Sequence, residues 1–228
     1  MSRTPRSREG AYAEWVARLV GRQNVRKRLA GLEGGEGRTS YREGAVRIDV
    51  PVETIVVRPP FGLAHEGEYD RVELGPLFDA LGRDHLVAAL LVRLGGYAVG
   101  VFDGERLLAS KVGSRFVKGR HKKGGSSSNR FRRRREEQAR ELIEEAADVA
   151  ERVLEPWCER VEFAALGGDR AAVREVLATR PSLAWLGQRA LPRFFAVREP
   201  RRRELERLAY QLYAAELESE ARQSTVEG

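Results

Sequence analysis

The chain has 228 residues, 42% hydrophobic and 33% charged, with a formal net charge of +7; this excludes wholesale disorder and allows one sizeable α/β domain or two small ones. The longest apolar run, which begins at Leu86, falls far short of the roughly 20 residues of a membrane helix, and no apolar stretch follows the basic first ten residues, so neither a membrane span nor a secretory leader is expected. The single cysteine, Cys158, excludes an internal disulfide and fits a reducing, cytoplasmic setting, while three scattered histidines (His65, His85, His121) give no zinc spacing, so neither metal nor cofactor is expected.

In chain order, residues 1–10 read as a frayed tail. Residues 11–32 carry Tyr12, Trp15, Val16, Leu19 and Val20 at helical spacing, and glycines from Gly31 to Gly37 end that helix. Val46, Ile48 and Val50 alternate with Arg47 and Asp49 as in a strand, and residues 54–57 read as a second, buried one, closed by Pro59-Pro60. Residues 69–81 predict a helix or helical turns with Leu74, Leu77, Phe78 and Leu81 on one side. A near-continuous apolar stretch over 86–94 predicts a central strand. Gly95-Gly96 turns into a strand over 97–102, and Asp103-Gly104 into another over 106–112, which makes an antiparallel meander.

Residues 118–128 read as a loop without an apolar anchor. The longest helix follows over 129–154, with Leu142, Ile143, Ala146, Ala147, Val149, Ala150, Val153 and Leu154 on its apolar side, and Pro156 ends it. A strand over 161–165 leads through Gly167-Gly168-Asp169 into a helix over 170–179. Residues 193–197 predict a short strand, and Pro200 opens a last helix running to about Glu220. The expected fold is an α/β (α+β) mixed sheet with an antiparallel meander, flanked by helices. The expected domains are an N-terminal helix and loop over 1–40 and an α/β domain over 41–228 that carries a basic loop over 113–130.

Charge is concentrated in one place. Residues 111–135 hold eleven cations and no acid: Lys111, Arg115, Lys118, Arg120, Lys122, Lys123, Arg130, Arg132, Arg133, Arg134 and Arg135. The rest of the chain is therefore mildly acidic. Such a run favours an anionic partner, and nucleic acid before a membrane surface because no apolar face accompanies it. Arginines at the start of a long helix oppose its dipole, a local conflict that points to function. Gly124-Gly125 allows close backbone approach to a ligand. Free N–H groups at the following helix start suit an anion or an oxyanion. The Gly119–Gly125 stretch lacks the Gly-Lys-Ser/Thr ending of a Walker-type phosphate loop.

The stretch Lys123-Gly124-Gly125-Ser126-Ser127-Ser128-Asn129-Arg130-Phe131-Arg132-Arg133 resembles the catalytic loop of class I release factors of eukaryotes and archaea, Gly-Gly-Gln-Ser-Ala-x-Arg-Phe-x-Arg. Gly124, Gly125, Ser127, Arg130, Phe131 and Arg133 match without a gap. The Vms-like release factor family of actinobacteria and Chloroflexi is similar in length and in its helical C-terminal part. The resemblance covers residues 85–155. It implies a fold like the release-factor middle domain, related to ribonuclease H, and hydrolysis of the peptidyl-tRNA ester in the rescue of stalled translation. It also implies the large ribosomal subunit, peptidyl-tRNA and ribosomal RNA as partners. The family's glutamine falls on Ser126, or on Ser128 or Asn129 in the later register, and none of these is glutamine. The implied catalytic set is Gly124, Gly125, Ser126 and Asn129. The implied RNA-binding set is Arg115, Lys118, Arg120, Lys122, Lys123, Arg130 and Arg132 to Arg135. The competing expectation is a non-catalytic ribosome or RNA binder using the same loop. Oligomeric state is open.

Remaining candidates read as structural. Glu144, Glu145 and Asp148 suit a solvated helix face pairing with arginine better than a metal site. The meander strands carry only Asp103, which argues against nuclease carboxylates. His121, beside Lys122 and Lys123, suits a phosphate contact better than a general base. Trp15, Trp157 and Trp185 read as packing residues, and Cys158 as a small buried hydrophobe.

Overall fold

Alternating apolar and polar residues build the first sheet, and a doubly apolar run builds the second. The computed structural model describes residues 16–93, 95–114 and 127–222, with the side chains of residue 16 and of residues 127–132 left aside. It divides the chain into two compact units, Met1–Leu81 with Ala214–Gly228, and Gly82–Tyr213.

The first unit holds a six-stranded sheet in the order β1-β10-β4-β3-β2-β5. Its strands are β1 (Val16–Gly21), β2 (Arg38–Arg42), β3 (Ala45–Asp49), β4 (Glu53–Arg58), β5 (Gly67–Tyr69) and β10 (Ala214–Ala221). All neighbours are antiparallel. One face is apolar: Tyr41, Val46, Val57 and Leu217 lie in one cross-strand row, Ile48 and Ile55 in the next, and all are fully buried. Helices α1 (Arg22–Leu29) and α2 (Gly75–Gly82) supply Val25, Leu29, Leu77 and Leu81 to the same core. Each such side chain removed from water contributes about 1.5–3 kcal/mol. The β2–β3 hairpin turns on Glu43 and Gly44, both with positive φ (51° and 72°), the backbone of a two-residue turn matched to strand twist.

Three expectations change here. The helix expected over 11–32 is, in its described part, strand β1 followed by α1, because residues 16–21 pair with β10 from Val16↔Ser219 to Gly21↔Ala214. The helix expected over 69–81 begins only at Gly75, and Tyr69 ends the short edge strand β5. The units also group residues 41–81 with what precedes them, since β2 spans residue 40 and is bonded to both β3 and β5, unlike the expected division at that point.

The second unit holds a four-stranded mixed sheet, β8-β7-β6-β9. The expected meander is present as β6 (Leu86–Arg93), β7 (Gly96–Asp103) and β8 (Arg106–Ser114), antiparallel in sequence. Strand β9 (Phe163–Gly168) runs parallel to β6. Helices α3 (Ser127–Leu154), α4 (Arg170–Thr179), α5 (Ala184–Gln188) and α6 (Arg202–Leu212) flank it. Residues 87–92 are all buried, the pattern of a strand covered on both faces. Ala88, Leu90, Val92, Tyr97, Val99 and Val101 pack with Leu142, Ile143, Ala146 and Ala150 of α3. Gly100 faces the other way, with Leu205 of α6 3.4 Å from where its Cβ would stand.

The last helix stops at Leu212 rather than near Glu220, and residues 214–221 form β10. Residues 193–197 form no named strand; Phe195 makes a single parallel bridge to Gly167. The predicted packing role of Trp157 and Trp185 stands, both lying against the α3 core, whereas Cys158 is only half-buried.

His85 is 7% exposed and its Nδ1 lies 2.9 Å from Glu162, whose other oxygen accepts the Leu86 N–H. Burial works to raise the Glu162 pKa, but the hydrogen bonds from His85 and from Leu86 N–H outweigh it, leaving the carboxyl below its ordinary range. The stability it contributes is complete above the pH at which an unfolded glutamate titrates, and is lost as pH falls through the lower folded value. Thermal melts across the acid range are expected to show Glu162→Gln losing less stability than the parent over that window; parallel curves would count against this.

Candidate functional site

The candidate site belongs to the second unit and lies in sequence between β8 and α3. Its described parts are the end of β8, including Lys111, Gly113 and Ser114, and α3 from Ser127. Arg115, Lys118, Arg120, His121, Lys122, Lys123, Gly124, Gly125 and Ser126 lie outside the described residues. Asn129, Arg130 and Arg132 are placed on the first turns of α3, as expected of the long helix after the glycine pair.

The two legs are joined at their base by one tyrosine. Tyr97, 2% exposed, sits in register with Gly113, and a Cβ on Gly113 would overlap the Tyr97 ring. Only glycine leaves room for the ring beneath β8. The Tyr97 hydroxyl donates a hydrogen bond to Glu145 Oε1 on α3, 2.9 Å away. Strand β8 and helix α3, which flank residues 115–126 in sequence, are thereby tied to one side chain.

Beyond that tie, α3 changes character. Leu142, Ile143, Ala146, Ala147, Val149, Ala150 and Leu154 are buried, as the apolar periodicity requires. Among the described side chains of residues 133–141 none is buried; Arg133 and Arg134 are exposed and Arg135 is half-exposed. Residues 127–141 span about 22 Å at ~1.5 Å per residue. This half of α3 is a stalk that buries no described side chain, with no acid in its first turn. Arginine charge and the positive end of the helix dipole thus add at the same place. Arg133, Arg134 and Arg135 form no ion pair among the described residues, so they are available to an outside anion.

The acidic part of α3 has a partner of its own. Arg180 is bonded to Asp148, lies 3.4 Å from Glu144, and is also within ion-pair reach of Glu151. The hydrogen bond to Asp148, with the field of its acidic neighbours, holds the guanidinium above its ordinary pKa. This is the arginine-paired face expected from the sequence, and among the described residues no His, Cys, Asp or Glu cluster suits a metal ion. Arg180 itself was not foreseen, because nothing in its spacing links it to α3. Tyr97 and Gly113 were missed as well; their signal is a glycine late in a strand opposite an aromatic at the start of the preceding one.

The sequence profile of the Actinobacteria/Chloroflexi VLRF1 release factor family matches residues 85–218, more than half of the chain. A search of the curated proteins gives no match. Among solved structures, an archaeal translation termination factor, aRF1, is similar at a TM-score of 0.40 and 18% identity, over 84% of this chain and 54% of that one. A chain described as an archaeal protein is similar at 0.40 and 14%, over 70% of this chain and 50% of that one. The chain spans about half the length of these structures, and likeness at that level bears on neither fold nor activity. No described helix is long and apolar enough to cross a membrane.

Proposed function

Because this chain belongs to the Actinobacteria/Chloroflexi VLRF1 release factor family, we propose that it is a release-factor-like peptidyl-tRNA hydrolase that rescues stalled translation in the cytoplasm. A release-factor-like role that engages the ribosome follows from the family. The finer reading assigns the large subunit, peptidyl-tRNA and ribosomal RNA as partners. The observation that carries it is the stalk of α3, which buries no described side chain from 133 to 141 and bears arginines without partners among the described residues.

In this reading Gly124, Gly125 and Ser126 bring main-chain N–H groups to the ester carbonyl. Water attacks that carbonyl, the carbonyl oxygen gains negative charge, and the N–H donors stabilise it. One such donor is worth about 10²–10³ in rate. The tRNA 3′ oxygen leaves with a proton, and the peptide departs as the acid. Ser126 stands where the motif has glutamine; its backbone donor is retained, and Asn129 is the nearest carboxamide in sequence. Arg115, Lys118, Arg120, Lys122, Lys123, Arg130 and Arg132 to Arg135 hold phosphates of tRNA and ribosomal RNA.

The absence of glutamine at residues 126, 128 and 129 favours one alternative, a ribosome binder without turnover. Peptide release from stalled ribosome–nascent-chain complexes separates the two. The hydrolase reading expects release above the buffer rate, falling on the order of a hundredfold in Gly125→Ala, because a Cβ at the tip keeps the donors from the carbonyl. Binding with release equal to buffer establishes the non-catalytic reading. No binding at all overturns both.

A further inference from the structure

The arginines just before α6 and in its first turn stand at the same end of the second unit as the candidate site. In the sheet register, Arg93 pairs with Gly96, Gly96 with Ser114, and Val92 with Gly168. The ends of β6, β8 and β9 and the start of β7 therefore share one edge, from which the stalk departs. Helix α4 begins there too, as the Asp169 N–H donates to the Val92 carbonyl at 2.7 Å.

Residues 197–203 are fastened to this edge. Arg93 donates to the Val197 carbonyl at 2.9 Å. Pro200 lies 3.8 Å from where a Cβ on Gly96 would stand, and Arg202 donates to Ser110 of β8 at 3.2 Å. The edge thus carries Arg93, Arg170, Arg198, Arg201, Arg202 and Arg203, against two acids, Asp169 and Glu199. Asp169 is used as the α4 cap, and Glu199 pairs with Arg201 at 2.9 Å. The opposite edge, residues 83–86, 103–106 and 159–163, has five acids and three bases.

Two features mark the basic edge as more than solvated surface. Arg202 and Arg203 occupy the first turn of α6, where cations oppose the helix dipole; Glu204 is the one acid in that turn, and it is engaged by Arg207 at 3.3 Å. Arg198 and Arg203 are exposed and form no ion pair among the described residues, whereas Arg201 and Arg202 are each paired. Local stability does not account for them.

We infer that this edge is a second RNA-backbone contact surface, with Arg198 and Arg203 gripping phosphates on the opposite sheet face from α3. The identity of that RNA as ribosomal rests on the function proposed above. Two separated grips fix the direction of approach in a way that a single contact does not.

The test measures the affinity of the full chain for purified large ribosomal subunits across salt, for the parent, for Arg198→Gln with Arg203→Gln, and for Arg106→Gln with Arg160→Gln at the opposite edge. Thermal melts verify folding of each. The inference expects the first pair to lower the log–log salt slope by roughly 1.5–2 and the affinity about tenfold near 0.1 M salt, with the opposite-edge pair at the parent slope. An unchanged slope for the first pair overturns it. If stalk variants at Arg132 to Arg135 still lose affinity in that case, the ribosomal reading survives without this surface; if they do not, both fall. Equal sensitivity of the first pair on phosphatidylserine vesicles would overturn the assignment to RNA.

Discussion

Replacing Gly168 by alanine is expected to lower the stability of the second unit by about 3 kcal/mol or more, the sum of backbone strain and overpacking at one residue. Gly168 has φ +98°, a conformation that L side chains rarely adopt. A Cβ there would overlap the backbone carbonyl of Val92, which already accepts the Asp169 N–H. Backbone gives way less readily than a side-chain tip, so the strand end or the start of α4 must move. Its neighbour Gly167 is confined as well, with the Phe195 carbonyl 2.6 Å from its Cβ position. Chemical denaturation followed by hydrogen exchange in β6 and β9 measures the loss, and assigns it to this unit rather than the other. Parent-like protection in those strands would show that the junction accommodates a methyl group.

Neutralising the stalk is expected to give the largest effect on binding. With Arg132 to Arg135 all replaced by glutamine, affinity for ribosomes at modest salt should fall on the order of a hundredfold, and the salt slope by roughly 3. Each arginine that touches a phosphate releases counterions, so their contributions multiply in affinity. The described members, Arg133 to Arg135, support no core packing, and folding should survive. Equilibrium binding over a salt series reads this directly. Parent-like affinity would remove the stalk from any account of ribosome engagement.

Much of the second unit was readable from sequence because its signals are local. Asp103-Gly104 and Gly95-Gly96 bracket apolar runs, and the α3 face repeats at helical spacing until Pro156. The first unit was less readable. Val16, Leu19 and Val20 fit a helix as well as a strand, and so does Leu212 followed by Ala215; what decides is that residues 16–21 and 214–221 pair with each other, a contact separated by nearly the whole chain. Strand β2 reads as polar loop because Arg38, Ser40 and Arg42 face away from the core, although Thr39 and Tyr41 are buried. One unit boundary falls inside the last turn of α2, at Leu81–Gly82, and the other between the end of α6 and the start of β10, at Tyr213–Ala214, with no change in composition to mark them. The acid-free basic run and the Arg-rich start of α3 were legible as chemistry; the Tyr97–Gly113–Glu145 tie was not, since it depends on strand register.

The place of β10 between β1 and β4 sets an order on synthesis. All of residues 82–213 leave the ribosome before the strand that completes the first sheet, so the inserted unit can close while its host waits. Until residues 214–221 emerge, β4 and β1 each present an unmatched ladder to any passing chain. A nascent chain halted just short of residue 214 would expose those two edges.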